Sequence, residues 1–159
     1  MKTDTIPWYE DVGLPALLRH ARTAYGVAMR RALAEAGYDD VPANGLYVIG
    51  GLALGVPDLP LGQLIKELRI SKQSAGQLVD TLVTRGYLER TVDPNDRRKL
   101  TVALTERGRA AAAVQAAARE EIDAELVACV GQDDLSRTRR TLAVLCDIGR
   151  QRTAGEEDE

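Results

Sequence analysis

The stretch LGQLIKELRISKQSAGQLVDTLVTRGYLERTVDPNDRRKLTVALTERG, residues 61–108, decides the fold. It opens with a run that fits a short helix, Leu61 to Leu68, and Arg69-Ile70-Ser71 then leaves room only for a turn. Ser71 is a natural N-cap, because its hydroxyl can accept from a backbone N–H one turn on. From Lys72 to Arg85 the apolar residues Ala75, Leu78, Val79, Leu82 and Val83 recur at spacings of three and four, which predicts one buried helical face. Gly86 ends that helix. Tyr87 to Val92 and Lys99 to Leu104 read as two strands, with the turn sequence Asp93-Pro94-Asn95-Asp96 between them. A short helix, a tight turn, an amphipathic helix and a hairpin make a helix-turn-helix with a wing.

The outward residues of the second helix carry the functional reading. Lys72, Gln73, Ser74, Gly76, Gln77 and Asp80 fall on its polar face. In a helix-turn-helix the start of this helix meets base edges in the major groove. Gln73 and Gln77 share a face, and glutamine pairs bidentately with adenine. Lys72 is placed for a phosphate, and Gly76 permits close backbone approach. The competing reading is a solvated polar face. The hairpin tip weighs against it, because Arg97, Arg98 and Lys99 are consecutive cations on a turn. They repel one another unless an anion lies between them, and arginine suits the enhanced negative potential of a narrow minor groove. Asp96 is placed to orient one of them.

Outward from this core, the pattern is helical. Pro15 suits the first turn of a helix that runs to about Ala36. Its stripe contains Leu14, Leu17, Leu18, Ala21, Tyr25, Ala28, Met29 and Leu33, and Gly37 follows as a C-cap. Pro42 to Leu54 reads as a second helix, weakened by Gly50 and Gly51. Thr105 starts a long helix to Cys129 or Val130, with Ala110 to Ala113 and Ala116 to Ala118 as small residues suited to close helix approach. Gly131 breaks it, and Asp133 or Asp134 is expected to cap a last helix through about Arg150. The expected fold class is mainly α with a small β-hairpin wing. The expected organisation is an N-terminal dimerisation helix region over 1–40, a winged helix-turn-helix over 41–108, C-terminal dimerisation helices over 109–152 and a disordered acidic tail over 153–159. Ile122, Leu126, Val130, Leu142, Leu145 and Ile148 exceed what one chain of 159 residues can bury, which predicts a homodimer. Two reading units about a two-fold axis predict a pseudo-palindromic site on double-stranded DNA.

Composition narrows the classes. The net charge is −3, yet residues 62–109 hold ten Lys/Arg against six Asp/Glu, a net of +4, and the rest is −7. A basic middle between acidic ends is the footprint of local phosphate binding. One histidine, two separated cysteines and no GxSxG or P-loop nominate no catalytic centre, no metal and no cofactor. No apolar run suits a signal peptide or a membrane span, so a cytoplasmic protein is expected. A sequence-nonspecific DNA binder fits poorly with the overall acidity. A winged helix that serves a protein partner is the stronger alternative, although it has no need of the Arg97–Lys99 tip.

The parts LVTRGYLER, DPNDRRKLTVALTERG and SKQSAGQLVDTL resemble the winged-helix core of the MarR family of bacterial transcriptional regulators. The resemblance implies that the N-terminal helix and the last two helices intertwine in a dimer. It also implies that Lys72 to Thr84, with Thr81 on its DNA side, is the recognition helix, and that Arg97 or Arg98 enters the minor groove. Arg69 departs from the glycine common at that turn. Repression, relieved by a small aromatic molecule held between dimer helices and the winged domain, is the outcome the family implies. Trp8, His20, Tyr25 and Tyr47 are the candidates to line such a pocket. Some relatives sense oxidants through an N-terminal cysteine. This chain has none there, and a redox role falls to Cys129 or Cys146.

Overall fold

The structure is a computed structural model, and it describes residues 7–54, 68, 70–92 and 100–156. Among the described residues, seven elements follow in order: α1 (Leu14–Glu35), α2 (Gly45–Ala53), α3 (Lys72–Thr84), β1 (Leu88–Val92), β2 (Leu100–Leu104), α4 (Glu106–Val130) and α5 (Gln132–Glu156). The short helix expected over 61–68, the turn at Arg69 and the hairpin tip with Arg97, Arg98 and Lys99 lie outside the described residues, apart from Leu68 itself. The chain forms two compact units, residues 1–119 and 120–159.

Glycine and proline punctuate the first unit much as their backbone chemistry dictates. Pro15 stands in the opening turn of α1. Gly37 takes φ 82° after α1 and Gly86 takes φ 75° after α3, left-handed conformations that cost glycine little. The Tyr38 N–H returns to Leu33 O at 2.8 Å, and the Tyr87 N–H returns to Leu82 O at 2.9 Å, so both helix ends close in the same way. The second helix begins three residues later than the sequence suggests. Pro42 instead occupies a turn, where its carbonyl accepts from Gly45 N at 2.7 Å.

The core of this unit joins Met29 and Leu33 of α1, Leu46, Val48 and Ile49 of α2, Leu78 and Leu82 of α3, and Tyr87, Leu88, Ala111, Ala112 and Ala118. Four of the five expected stripe residues of α3 are buried; Val83 is half-buried. α1 divides along its length. Met29 and Leu33 are buried, whereas Leu14 is 51% exposed and Leu17 and Leu18 are half-buried. Three alanines of the run in α4, Ala111, Ala112 and Ala118, serve the chain's own core, whereas Ala110, Ala113 and Ala117 are exposed. Gly108, Ala111, Ala112, Gln115 and Ala118 are buried along one stripe, where small residues admit the large side chains of α2.

The hairpin is antiparallel, with Leu88 opposite Leu104, Arg90 opposite Val102 and Val92 opposite Leu100. In the second unit, Gly131 at φ 84° separates α4 from α5. Asp133 and Asp134 sit inside the first turn of α5 rather than before it, where carboxylates favour the N-terminal end of the helix dipole. α5 continues to Glu156, six residues past the expected end and into the stretch read as a disordered tail. Leu135 is the buried hydrophobic residue of this helix among those described.

Candidate nucleic-acid interface

Ser71 caps α3 as expected, its hydroxyl accepting from Ser74 N at 3.1 Å and donating to Ser74 Oγ at 2.9 Å. The cap fixes where the helix starts, and the buried stripe Ala75, Leu78, Val79 and Leu82 fixes its rotation. Ser71, Lys72, Gln73, Ser74, Gly76 and Gln77 are therefore all exposed together. A Cβ added to Gly76 would meet nothing within 4 Å. Packing thus gives no reason for a glycine in mid-helix, where it costs about 1 kcal/mol relative to alanine.

Two expected reading positions carry internal bonds. Asp80 forms an ion pair with Arg90 of β1, which ties the helix to the wing. Thr81 is half-buried, and its hydroxyl donates to Gln77 O at 2.7 Å. Several cations counted towards the basic middle are likewise anchored. Arg85 donates to Asp40 O, Arg109 donates to Leu104 O at 2.7 Å, and Arg107 pairs with Asp40 at 3.1 Å. Their side chains still add positive potential to this surface, but the charge count alone overstates the free cations.

Arg107 belongs to a cluster that the sequence does not expose. The Tyr87 hydroxyl donates to Asp40 Oδ1, and Arg107 Nη2 donates to that same carboxylate oxygen at 3.1 Å and to Tyr87 Oη at 3.0 Å. Its guanidinium lies over the Tyr87 ring at 4.7 Å and near the Tyr38 ring at 5.4 Å. The Tyr87 hydrogen bond holds the Asp40 carboxyl below its usual range, with Arg107 acting in the same direction. Burial, then the bond to Asp40, pushes the Tyr87 phenol up to about 12. A phenol whose folded pKa exceeds its unfolded value near 10 contributes stability below pH 10, and that contribution is lost as pH rises from about 10 through 12. Tyr87→Phe should therefore cost roughly 1–2 kcal/mol at pH 7 through lost hydrogen bonds. Its denaturant midpoint should fall less than the wild type's between pH 10 and 12; parallel curves would refute this role.

Two of the four pocket candidates, Tyr25 and Tyr47, pack against the same core, and the other two are exposed. Trp8 is 73% exposed and meets Tyr9 edge-on, and His20 is exposed. Tyr25 packs on the core. Tyr47 lines a cavity, beneath Arg22 at 4.3 Å. Cys129 and Cys146 are both free and exposed. Among the described residues, no helix is long and apolar enough to cross a membrane, and no group of three or more His, Cys, Asp or Glu suits a metal ion.

Comparison with known proteins agrees with this architecture. The sequence finds no match among curated proteins. Among solved structures, S. aureus MepR in its DNA-binding conformation is similar at TM-score 0.67, with 18% identity over 85% of this chain and 97% of that one. The S. aureus MepR-DNA complex gives TM-score 0.63 and 17% identity over 85% and 97% of the two chains. S. aureus MepR bound to ethidium bromide gives TM-score 0.56 and 17% identity over 87% and 97%. At such identities the likeness speaks for the fold. Residues 40–99, from Asp40 across α2, α3 and β1, match the sequence model described as MarR family. Over that stretch, and on a winged-helix fold, the chain is similar to the MarR family.

Proposed function

We propose that the protein is a sequence-specific, homodimeric DNA-binding transcriptional regulator, a repressor released by a small molecule, and not an enzyme. The observation that carries this reading is the polar face of α3. Ser71, Lys72, Gln73, Ser74 and Gln77 are exposed side by side on a helix whose other face is locked into the core. Gly76 on that face leaves the backbone open to close approach. The match of residues 40–99 to the MarR family model and the DNA complex of the structurally similar MepR support the reading. Gln73 and Gln77 read base edges, Lys72 and the two serines hold phosphates, Thr81 flanks them, and Arg97, Arg98 and Lys99 of the wing reach the backbone or the minor groove.

Exposed apolar side chains support a second copy of the chain as partner. Val144, Leu145 and Ile148 of α5 are 54%, 40% and 44% exposed, and Leu126 and Val130 of α4 are exposed as well. In the first unit, Trp8, Leu14 and Val27 are also open. Faces of this kind are covered in a stable protein. A two-fold dimer gives a pseudo-palindromic operator with half-sites about one helical turn apart.

Gln73→Ala separates reading from attraction. Anisotropy titrations across a salt series should show a loss of about 1–3 kcal/mol on the preferred sequence and little change on scrambled DNA, with the salt slope unchanged. A uniform loss on both sequences with a shallower slope would make Gln73 a backbone contact.

A further inference from the structure

α3 carries a glycine that the fold itself does not require. Gly76 lies inside the helix, exposed, and a Cβ added to it would meet nothing within 4 Å. Other helical glycines of the first unit are explained by packing. An added Cβ would stand 3.1 Å from a neighbouring atom at Gly26 and Gly50, 2.9 Å at Gly45 and 2.1 Å at Gly108. Glycine is the poorest helix former after proline, so its place in α3 answers to something outside the chain.

The neighbours of Gly76 define what that is. Helical spacing puts Lys72 and Gln73 one turn before it and Asp80 one turn after it, on the same side. All three are exposed. Asp80 is paired with Arg90, which offsets the one acidic charge at this edge of the helix. The gap left by the absent side chain is thus bordered by a cation, a carboxamide and a compensated carboxylate. A carboxamide matches adenine N6 and N7, and each adenine of a duplex is paired with a thymine, whose 5-methyl is the apolar group of the major groove. Alanine is an ordinary partner for that methyl and would favour the helix. Glycine gives up this contact and leaves the volume of one methyl to the partner, so the backbone can come closer to the base edges. We infer that the 5-methyl of a thymine occupies the place of the missing Cβ at Gly76, beside an adenine read by Gln73. Gly76 is then a specificity-determining residue that discriminates by shape: thymine fills the gap, and cytosine, which has no methyl, leaves it empty. The inference deepens the reading of α3 as a DNA-reading helix and rests on it.

The test exchanges the methyl between protein and DNA. Duplexes bound by the full chain are selected from a random pool, and each thymine of the selected site is replaced in turn by deoxyuridine, which lacks only the 5-methyl. At one thymine of each half-site, wild-type affinity should fall about fourfold for each methyl removed. Gly76→Ala should melt at or above the wild-type temperature and bind the selected duplex at least about tenfold more weakly. It should recover most of that loss on the duplex with deoxyuridine at the same position. A change in fold or helix stability does not produce this reversal of preference. Should the variant fail to fold, the response of the wild type to deoxyuridine is the test by itself. Three results would overturn the inference while leaving DNA reading by α3 in place. They are wild-type affinity that deoxyuridine changes at no position, a Gly76→Ala protein with wild-type affinity, and a Gly76→Ala loss that is equal on both duplexes. A pool from which no sequence is enriched would overturn that reading and the inference together.

Discussion

Gly108→Ala should lower the thermal midpoint by about 10 °C, the equivalent of about 3 kcal/mol in a chain of this size. α4 starts directly against the backbone at the beginning of β1. Thr105 N donates to Tyr87 O at 3.1 Å, and the Thr105 hydroxyl donates to the carbonyls of Gly86 and Tyr87 while accepting from Gly108 N at 3.0 Å. One threonine thereby caps α4 and closes the end of α3 onto it. A Cβ on Gly108 would fall 2.1 Å from Tyr87 O and 3.0 Å from Leu104 Cδ2. The nearest obstacle is backbone, which cannot swing aside as a side chain does. Relief requires α4 to lift away, which breaks the Thr105 bonds and loosens Ala111 and Ala112 in the core. Gly76→Ala is the natural control, with open space around it, and should hold or raise the midpoint. A Gly108→Ala protein that melts within about 1 °C of wild type would contradict this packing.

Replacing Arg97 and Arg98 together by alanine should weaken DNA binding about 100-fold at moderate salt, at about 1.4 kcal/mol for each arginine. The salt slope should become shallower by about one for each phosphate that the wing no longer neutralises. The expectation rests on charge and sequence. Three successive cations follow the turn residues of a hairpin whose strands are paired from Leu88–Leu104 to Val92–Leu100. Those strands are tied to α3 by the Asp80–Arg90 ion pair. The core residues that the structure describes all lie elsewhere in the sequence, so the melting midpoint should stay at the wild-type value. Undiminished affinity would remove the wing from the interface.

Local chemistry makes much of this fold legible. Pro15, Gly37, Ser71, Gly86 and Gly131 mark helix ends where the structure has them, because caps and left-handed turns depend on a few adjacent residues. The polar face of α3 is legible for the same reason. What escapes is nonlocal. Asp40, Tyr87 and Arg107 stand far apart in sequence, and only the fold joins them. Gln115 reads as an ordinary polar residue in an alanine-rich helix until its burial is known. The alanine run does not say which of its residues face the chain's own core, as Ala111, Ala112 and Ala118 do, because small residues permit close approach to any neighbour. Among the aromatic pocket candidates, composition does not separate Tyr47, which lines the cavity, from Trp8 and His20, which are exposed.

The most direct test of the central claim is a titration of the purified protein against the DNA directly upstream of its own gene and against a scrambled duplex, at one salt concentration. The account predicts a dimer on a pseudo-palindromic site, bound at least about 10³-fold more tightly than the scrambled duplex. Equal, weak binding to both duplexes would contradict it.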